Sequence, residues 1–341
     1  MNIIAQTAYD YWHRGRVKTS PSGWLSRNAP CCEHRGQSPD KRGRGGMKFD
    51  NAAGSCSFHC FNCGATASYT PGKPLYPKFI NLLKWLNVDE STISQLKLES
   101  LRAAKEAGFE PRAIVRRDIK AIEMPKDCTL LENDISKYPA HVNFLKTRGF
   151  TPADFPFLVS PDLVYRSRVI LPFILHDTII GYSARSINPA ERMRYIMRKT
   201  CEFVFGMEYV QPEHEWVFVT EGLLDALSVK CLSVMHNEIS DEQTEMICDL
   251  QKKIIVVPDL DKAGLNKPKI DKNGKVIRNN SVIDTAIDNG WSVSIPQWDV
   301  KDINAAYVKY GSLFCVTHLL KNATDNAALI RVQQQFRNPY K

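Results

Sequence analysis

Five cysteines packed into 33 residues, at positions 31, 32, 56, 60 and 63, constrain this chain more than any other feature. The other five (Cys128, Cys201, Cys231, Cys248 and Cys315) are scattered through apolar stretches. The opening MNIIAQTAYDYWHRGR has no basic start followed by an apolar core, so it does not read as a secretory signal. Clustered cysteines without such a signal favour metal over disulfide. Cys31-Cys32-Glu33-His34 and Cys60-Phe61-Asn62-Cys63 supply two C-x2-[CH] pairs, with 25 residues between them to carry a β-hairpin from one knuckle to the next. Thiolates and imidazole in tetrahedral array suit Zn²⁺, and four protein ligands make a closed, structural site. The expected ligands are Cys31, His34, Cys60 and Cys63, with Cys32, Cys56 and His59 as competing donors.

At 341 residues the chain has room for two or three domains. Residues 1–75 are rich in Gly, Ser, Cys and short β-type runs. Over 78–107 the pattern turns helical: Phe79, Leu82, Leu83 and Leu86 recur at 3.6-residue spacing, and Leu96, Leu98 and Leu101 more loosely. Residues 108–126 are charged and poorly periodic and read as a linker, basic at Arg112, Arg116, Arg117 and Lys120. From 127 onward strands alternate with helices. RVILPFIL (168–175) and TIIGYSARS (178–186) read as strands joined at His176-Asp177. Further strands are expected at 217–220, 254–257 and 291–295, and helices at 223–231, 240–251, 282–288 and 303–310. Such alternation implies a mostly parallel sheet covered on both faces. The expected division is 1–75, 76–126, 127–210, 211–325 and a tail, 326–341.

The net charge of +8 is unevenly placed: residues 1–75 hold ten Lys/Arg against four Asp/Glu. A polyanionic partner is therefore expected there. Acidic motifs fall at strand ends in the second half: Glu221-Gly222 with Asp225 one helical turn later, Asp259-Leu260-Asp261, and Asp302 just before a helix. In open parallel sheets the C-terminal strand ends face one crevice, where ligands bind. Carboxylates converging there repel one another unless a cation lies between them, and Mg²⁺ prefers oxygen ligands and retains waters. Residues 265–280 carry a further basic hairpin signal, Asn273-Gly274 flanked by Ile270 and by Val276-Ile277, with Lys267, Lys269, Lys272 and Lys275 around it.

Taken together, these motifs resemble the primases of bacteria and phages. CCEH…FHCFNCGA is similar to their N-terminal zinc ribbon, most closely at Phe58, His59, Cys60, Phe61, Cys63 and Gly64, while Cys32 stands where such primases usually have proline. Glu221, Asp259 and Asp261 fall on the motif positions of the Toprim domain of primases and topoisomerases. Arg168 to Phe173, Gly181 to Arg185 and Arg194-Tyr195-Ile196 look like elements of the primase polymerase domain that precede it. The implied fold is a small β zinc ribbon, a helical linker and an α/β polymerase domain with a Toprim-type sheet. The implied activity is synthesis of short RNA primers on single-stranded DNA from ribonucleoside triphosphates. Asp259, Asp261, Asp302 and Glu221 would hold two or more Mg²⁺ (or Mn²⁺), with Glu221 alternatively the general base at the attacking 3′-hydroxyl. Arg168 and Arg185 would line the groove for template and nucleotide. On the ribbon, Lys41, Arg42 and Arg44 would meet phosphates, while Phe58 and Phe61 offer flat faces to bases.

A topoisomerase needs a separate domain for its nucleophilic tyrosine, and Toprim nucleases do not usually carry such a ribbon. A non-catalytic zinc-ribbon protein that binds single-stranded DNA is the rival from another class. The sequence has no G-x4-G-K-[ST] loop, so a replicative helicase is expected as a separate partner. It has no run of 18 apolar residues to span a membrane. The expectation is a cytoplasmic enzyme, most like the stand-alone primases of bacteriophages, working in a bacterial host.

Overall fold

The structure, a computed structural model, describes residues 2–35, 37–109, 120–260, 265, 269–270, 276–277 and 281–336. Helix α1 (Ile3–Trp12), capped by the Asn2 side chain, leads into a five-stranded antiparallel meander. Its strands are β1 (Lys18–Thr19), β2 (Leu25–Arg27), β3 (Gly45–Asp50), β4 (Ser55–Cys60) and β5 (Thr66–Tyr69). One turn of helix, α2 (Cys31–His34), interrupts the loop between β2 and β3. Strand alternation sorts the residues of β3 and β4. Met47, Cys56, Phe58 and Cys60 turn inward and are buried, whereas Gly46, Lys48, Ser57 and His59 lie on the opposite face. Helices α3 (Pro77–Trp85) and α4 (Glu90–Glu106) pack on the meander. Phe79, Leu82, Leu83, Ile93 and Leu96 share one core with Trp12, Met47 and Phe58. The N-terminal unit therefore extends through α4, with Leu82, Leu83, Leu86 and Leu96 in its core rather than in a connector, whereas Leu98 and Leu101 are exposed.

Arg112, Arg116 and Arg117 lie outside the described residues. Where description resumes, the chain is already bound to a second sheet: the Ile122 amide donates to the Ile179 carbonyl at 2.9 Å, and Ile122 and Met124 pack on its face. That sheet is antiparallel, in the order β10 (Tyr195–Lys199), β9 (Thr178–Ser186), β8 (Arg168–Leu175), β7 (Leu158–Val159) and β6 (Thr129–Leu130). Helix α5 (Pro139–Thr147) lies between β6 and β7 in the chain. The β8–β9 turn has positive φ at both His176 (47°) and Asp177 (60°), the backbone twist a two-residue hairpin needs.

The third sheet runs β12 (Leu232–Ser233), β11 (Trp216–Thr220), β13 (Lys253–Val257), β16 (Ser292–Ser294), β17 (Ala323–Thr324). The first four strands are parallel, and β17 closes the edge antiparallel. Its helices are α6 (Leu223–Val229), α7 (Asp241–Asp249), α8 (Val282–Asn289), α9 (Ile303–Tyr310), α10 (Ser312–Lys321) and α11 (Ala327–Phe336). Alternate residues of β11 and β13 serve two cores. Phe218, Ile255 and Val257 face α6, α9, α10 and the antiparallel sheet, while Val217, Val219, Ile254 and Val256 face α8 and Ile330 of α11. A short pair, β14 (Lys269–Ile270) and β15 (Val276–Ile277), forms the expected hairpin, although its Asn273-Gly274 turn and Lys267, Lys272 and Lys275 lie outside the described residues.

A polar joint connects the N-terminal unit to the parallel sheet. Arg35, just past α2, donates from its guanidinium to the Cys63 carbonyl, and its Nε lies 2.5 Å from Asp288 Oδ1 near the end of α8. The contact is one of charges rather than an aligned hydrogen bond, since Nε and Oδ1 have no partner in hydrogen-bond geometry. Beside it, Asn81 Nδ2 donates to the Asp288 carbonyl at 3.2 Å. A Cβ at Gly290, whose φ of 65° ends α8, would meet the Asn81 amide at 2.9 Å.

Candidate metal centre and acidic cleft

Cys31, Cys32, Cys60 and Cys63 bring their four sulfurs within 4.8 Å of one another. Cys31 and Cys32 turn inward from α2, Cys60 ends β4, and Cys63 sits in the following turn, closed by Gly64 at φ 74°. The Gly64 amide donates to the Cys60 carbonyl at 2.8 Å, and the Cys63 amide approaches the Cys60 sulfur at 3.5 Å. Sulfur separations are 3.4 Å for Cys31–Cys63 and 3.7 Å for Cys32–Cys60. Four thiolates about 2.3 Å from a shared zinc would stand about 3.8 Å apart, so the set fits the ion. Without a cation the thiolate form is poorly accommodated at Cys31 and Cys32. Hydrogen bonds with Cys60 and Cys63, then burial, drive Cys31 far above the ordinary thiol range, and burial pushes Cys32 up to about 12.

The fourth donor in this group is Cys32, where the sequence pointed to His34. One helical turn starting at Pro30 buries positions 31 and 32 and leaves 33 and 34 exposed. The His34 ring instead stacks on Trp85 at 6.0 Å. Cys56 shares the inner face of β4 with Cys60 but lies four residues back, about 13 Å along a strand. His59 is on the outer face, its ring 4.3 Å from Phe61.

The two phenylalanines expected to meet bases part company. Phe58 is 2% exposed and packs edge-on against Trp12 at 5.8 Å, so it belongs to the core. Phe61 is 64% exposed and joins Trp24 and His59 on the outer face, with Lys48 on the same side. Lys41 and Arg42 are exposed. Arg44 is half-buried and tied to Asp40, whose carboxylate also accepts from the Ala29, Arg42 and Arg44 amides. Burial raises Asp40, but these hydrogen bonds outweigh it and hold the group below its ordinary value.

In the second half, the acidic residues gather at the C-terminal ends of parallel strands. Glu221 follows β11, Asp259 follows β13, and the Asp259 amide donates to Glu221 Oε1 at 3.1 Å. The Leu260 amide donates to the Lys301 carbonyl at 2.9 Å, drawing the loop with Asp302 alongside. Asp302 caps α9 by accepting from the Ala305 amide at 2.8 Å, and Lys301 lies 3.2 Å from its other oxygen. Asp225, in the first turn of α6, is only 7% exposed. Its proton affinity is well above the carboxylate norm, through burial first and then the charges of Asp259 and Asp302. Asp261 lies outside the described residues. Among those described, no three carboxylates close up as the sulfurs do. The charges of Asp259 and Asp302 act on Asp225, a repulsion that a divalent ion would relieve.

A cationic and aromatic wall from the antiparallel sheet faces these acids. Arg185 lies over the half-open Tyr195 ring at 4.4 Å, and its Nε is buried without a partner. Burial, and then the neighbouring charges of Arg148 and Arg194, depress Arg185, while Tyr195 and Asp302 act in the other direction. Arg148, after α5, donates to Asn304 Oδ1 at 3.2 Å. Arg168 does not belong to this wall. It is 6% exposed and directs its guanidinium to the carbonyls of Val164, Ala184, Met193 and Arg194, which leaves it fixing the β9–β10 connection. Sequence reasoning passed over Arg148 and Asn304 altogether; Asp225 carried a signal, its position four residues after Glu221 on a helix.

Fold and site together define a class: a four-cysteine ribbon joined to an α/β unit with acids at its strand ends. No model of a known protein family matches the chain, and no curated protein matches it. Among solved structures it is similar to the zinc-binding and RNA polymerase domains of the Aquifex aeolicus primase, with a TM-score of 0.41 and 16% identity over 95% of this chain and 86% of that one. It is also similar to the RNA polymerase domain of Mycobacterium tuberculosis primase DnaG (TM-score 0.40, 15% identity, 70% of this chain and 79% of that one). The same domain in complex with a double-stranded DNA oligomer with a 6-nucleotide overhang gives 0.37 and 15%, over 67% of this chain and 75% of that one. Likeness at this level fixes neither a fold nor an activity.

Proposed function

We propose that the chain is a DNA-dependent RNA primase, working on single-stranded template with ribonucleoside triphosphates. The observation that carries this reading is the cleft. Glu221 and Asp259 follow strands and Asp225 and Asp302 open helices, and the charges of Asp225 and Asp259 act on Tyr195 and that of Asp302 on Arg185, so acids suited to Mg²⁺ lie near an arginine suited to phosphate. Magnesium (or manganese) bound there supplies charge stabilisation to phosphoryl transfer and lowers the pKa of an attacking hydroxyl. Glu221, Asp259, Asp261 and Asp302 would hold it. Arg185 would receive the triphosphate from its place over the Tyr195 ring, with Asp302 among the charges around it. Glu221, nearly buried and accepting from the Asp259 amide, would orient that carboxylate as well as contribute its own.

In the same reading, zinc is held by Cys31, Cys32, Cys60 and Cys63. The outer face of the ribbon, with Trp24, His59, Phe61 and Lys48 and with Lys41 and Arg42 nearby, meets the template. A separate helicase as partner, a bacterial cytoplasm as location and a phage origin belong to this proposal through the sequence resemblance. Among the described residues no helix is long and apolar enough to cross a membrane. The metal group of the ribbon is drawn tighter than the acidic set, which favours a single-stranded DNA-binding protein without catalysis as the second reading. One assay separates the two: labelled ribonucleotide incorporation on a randomised single-stranded template with Mg²⁺. Product with the wild type and none with Asp259→Asn is expected; template binding without product would leave only the second reading.

A further inference from the structure

Asn304 occupies a place in the cleft that its position in the sequence does not announce. It is 2% exposed and makes four hydrogen bonds to three other residues. Its backbone amide donates to Asp225 Oδ1 at 2.7 Å. Its side-chain amide donates to the Arg148 carbonyl at 2.9 Å and to Ser228 Oγ at 3.0 Å. Its side-chain oxygen accepts from the Arg148 guanidinium at 3.2 Å. Asp225 and Ser228 belong to α6, Arg148 follows α5, and Asn304 itself is in the first turn of α9. One buried amide therefore ties the end of α5 and the helix carrying the buried acid to the helix capped by Asp302.

The other oxygen of Asp225 is pinned from the opposite side. A Cβ at Gly222 would lie 2.1 Å from Oδ2, so the carboxylate fills the space that the missing side chain leaves. Asp225 is thus held between the Gly222 backbone and the Asn304 amide, and Arg148 is held at both its carbonyl and its guanidinium. Side chains that orient a metal-binding carboxylate typically contribute 10- to 100-fold to affinity or activity.

We propose that Asn304 is a positioning residue: its side chain locks Arg148 and Ser228 of α6 to the start of α9, which sets Arg148 toward the phosphates of the nucleotide and keeps α6, with the Asp225 that the Asn304 backbone amide holds, in line with the divalent-cation site. The inference rests on the primase reading. Its test uses the full chain with zinc in place. Mn²⁺ affinity is measured by electron paramagnetic resonance, KM and kcat for the nucleotide in primer synthesis, and thermal unfolding as the control for folding. Asn304→Ala, which keeps the backbone bond to Asp225 and removes the three side-chain bonds to Arg148 and Ser228, should raise the nucleotide KM by about tenfold or more and weaken Mn²⁺ binding by less. At saturating Mn²⁺ kcat should largely recover, because the reacting groups themselves are untouched. Ser228→Ala, which removes a single bond of the set, should move both quantities the same way by less, and it decides the matter if Asn304→Ala does not fold. A folded Asn304→Ala within about twofold of wild type in nucleotide KM overturns the inference, whatever its melting temperature. A wild type that binds no Mn²⁺ overturns the primase reading together with it.

Discussion

Replacing Arg35 by Met should loosen the joint between the ribbon and the parallel sheet. At the 2.5 Å separation from Asp288, a pair of unit charges in an effective dielectric of about 20 attract by about 7 kcal/mol, most of it offset by the cost of desolvating both ions. The net value of the intact pair is therefore small. Removing one partner is different, because Asp288 keeps its burial and loses its counter-charge, and such losses run at about 3–5 kcal/mol. At the lower figure the unfolding midpoint of the N-terminal unit, which ends at Glu106, should fall by roughly 12–24 °C. Asp288→Asn should cost less, since it leaves Arg35 its bond to the Cys63 carbonyl. The double variant should be more stable than the sum of the single losses predicts, by about 1–3 kcal/mol. Thermal unfolding with zinc release followed in parallel measures all three. A loss below about 1 kcal/mol for Arg35→Met, or strict additivity in the double variant, would refute the reasoning.

Cys32→Ser should lose zinc from freshly purified protein, whereas His34→Ala should keep about one equivalent by elemental analysis; the reverse result would restore the assignment the sequence suggested. Gly222→Ala should displace the Asp225 carboxylate, because its methyl would lie 2.1 Å from Oδ2, and primer synthesis should fall at least tenfold or so while template binding holds. Burial, then Asp259 and Asp302, raise Asp225 above its unfolded value, so its ionisation costs stability above about pH 4 and the cost disappears as pH falls. The metal-free chain should accordingly be stabilised at pH 7 by Asp225→Asn, as read by chemical denaturation. Arg168→Met should lower stability and leave the nucleotide KM of folded protein unchanged, since its donors meet only carbonyls.

Local chemistry decided what could be read from the sequence. Strands β8 and β9 fall where alternation and the His176-Asp177 turn put them, and α7 begins at Ser240 with its Gln243 capping partner. The acids announced themselves as the residues that follow apolar runs. What stayed hidden depends on facing. Phe58 and Phe61 look alike in FHCFNC, yet the pleat buries the first and the turn after Cys60 exposes the second. Cys32 and His34 are two residues apart on one turn of helix, and only the direction of that turn tells which reaches the sulfurs. Arg168 and Arg185 sit in similar-looking strand motifs, but one is enclosed by carbonyls and the other faces the cleft. The leucines of α3 and α4 showed a helix without showing what it packs on, because the core they complete is built by earlier residues from Trp12 to Tyr69 that no local pattern ties to them.

The sulfur pairing of the ribbon also bears on oxidation. The closest approaches, Cys31 to Cys63 and Cys32 to Cys60, both run between the α2 turn and the opposite knuckle. A peroxide taking two electrons from one such pair, with two protons from solvent, would leave as water and form a disulfide across the gap the metal had spanned. A second equivalent would close the other pair and expel the zinc. Chelation removes the ion and frees both knuckles, whereas oxidation removes the ion and staples them. The two ways of losing one metal would leave this ribbon in opposite mechanical states.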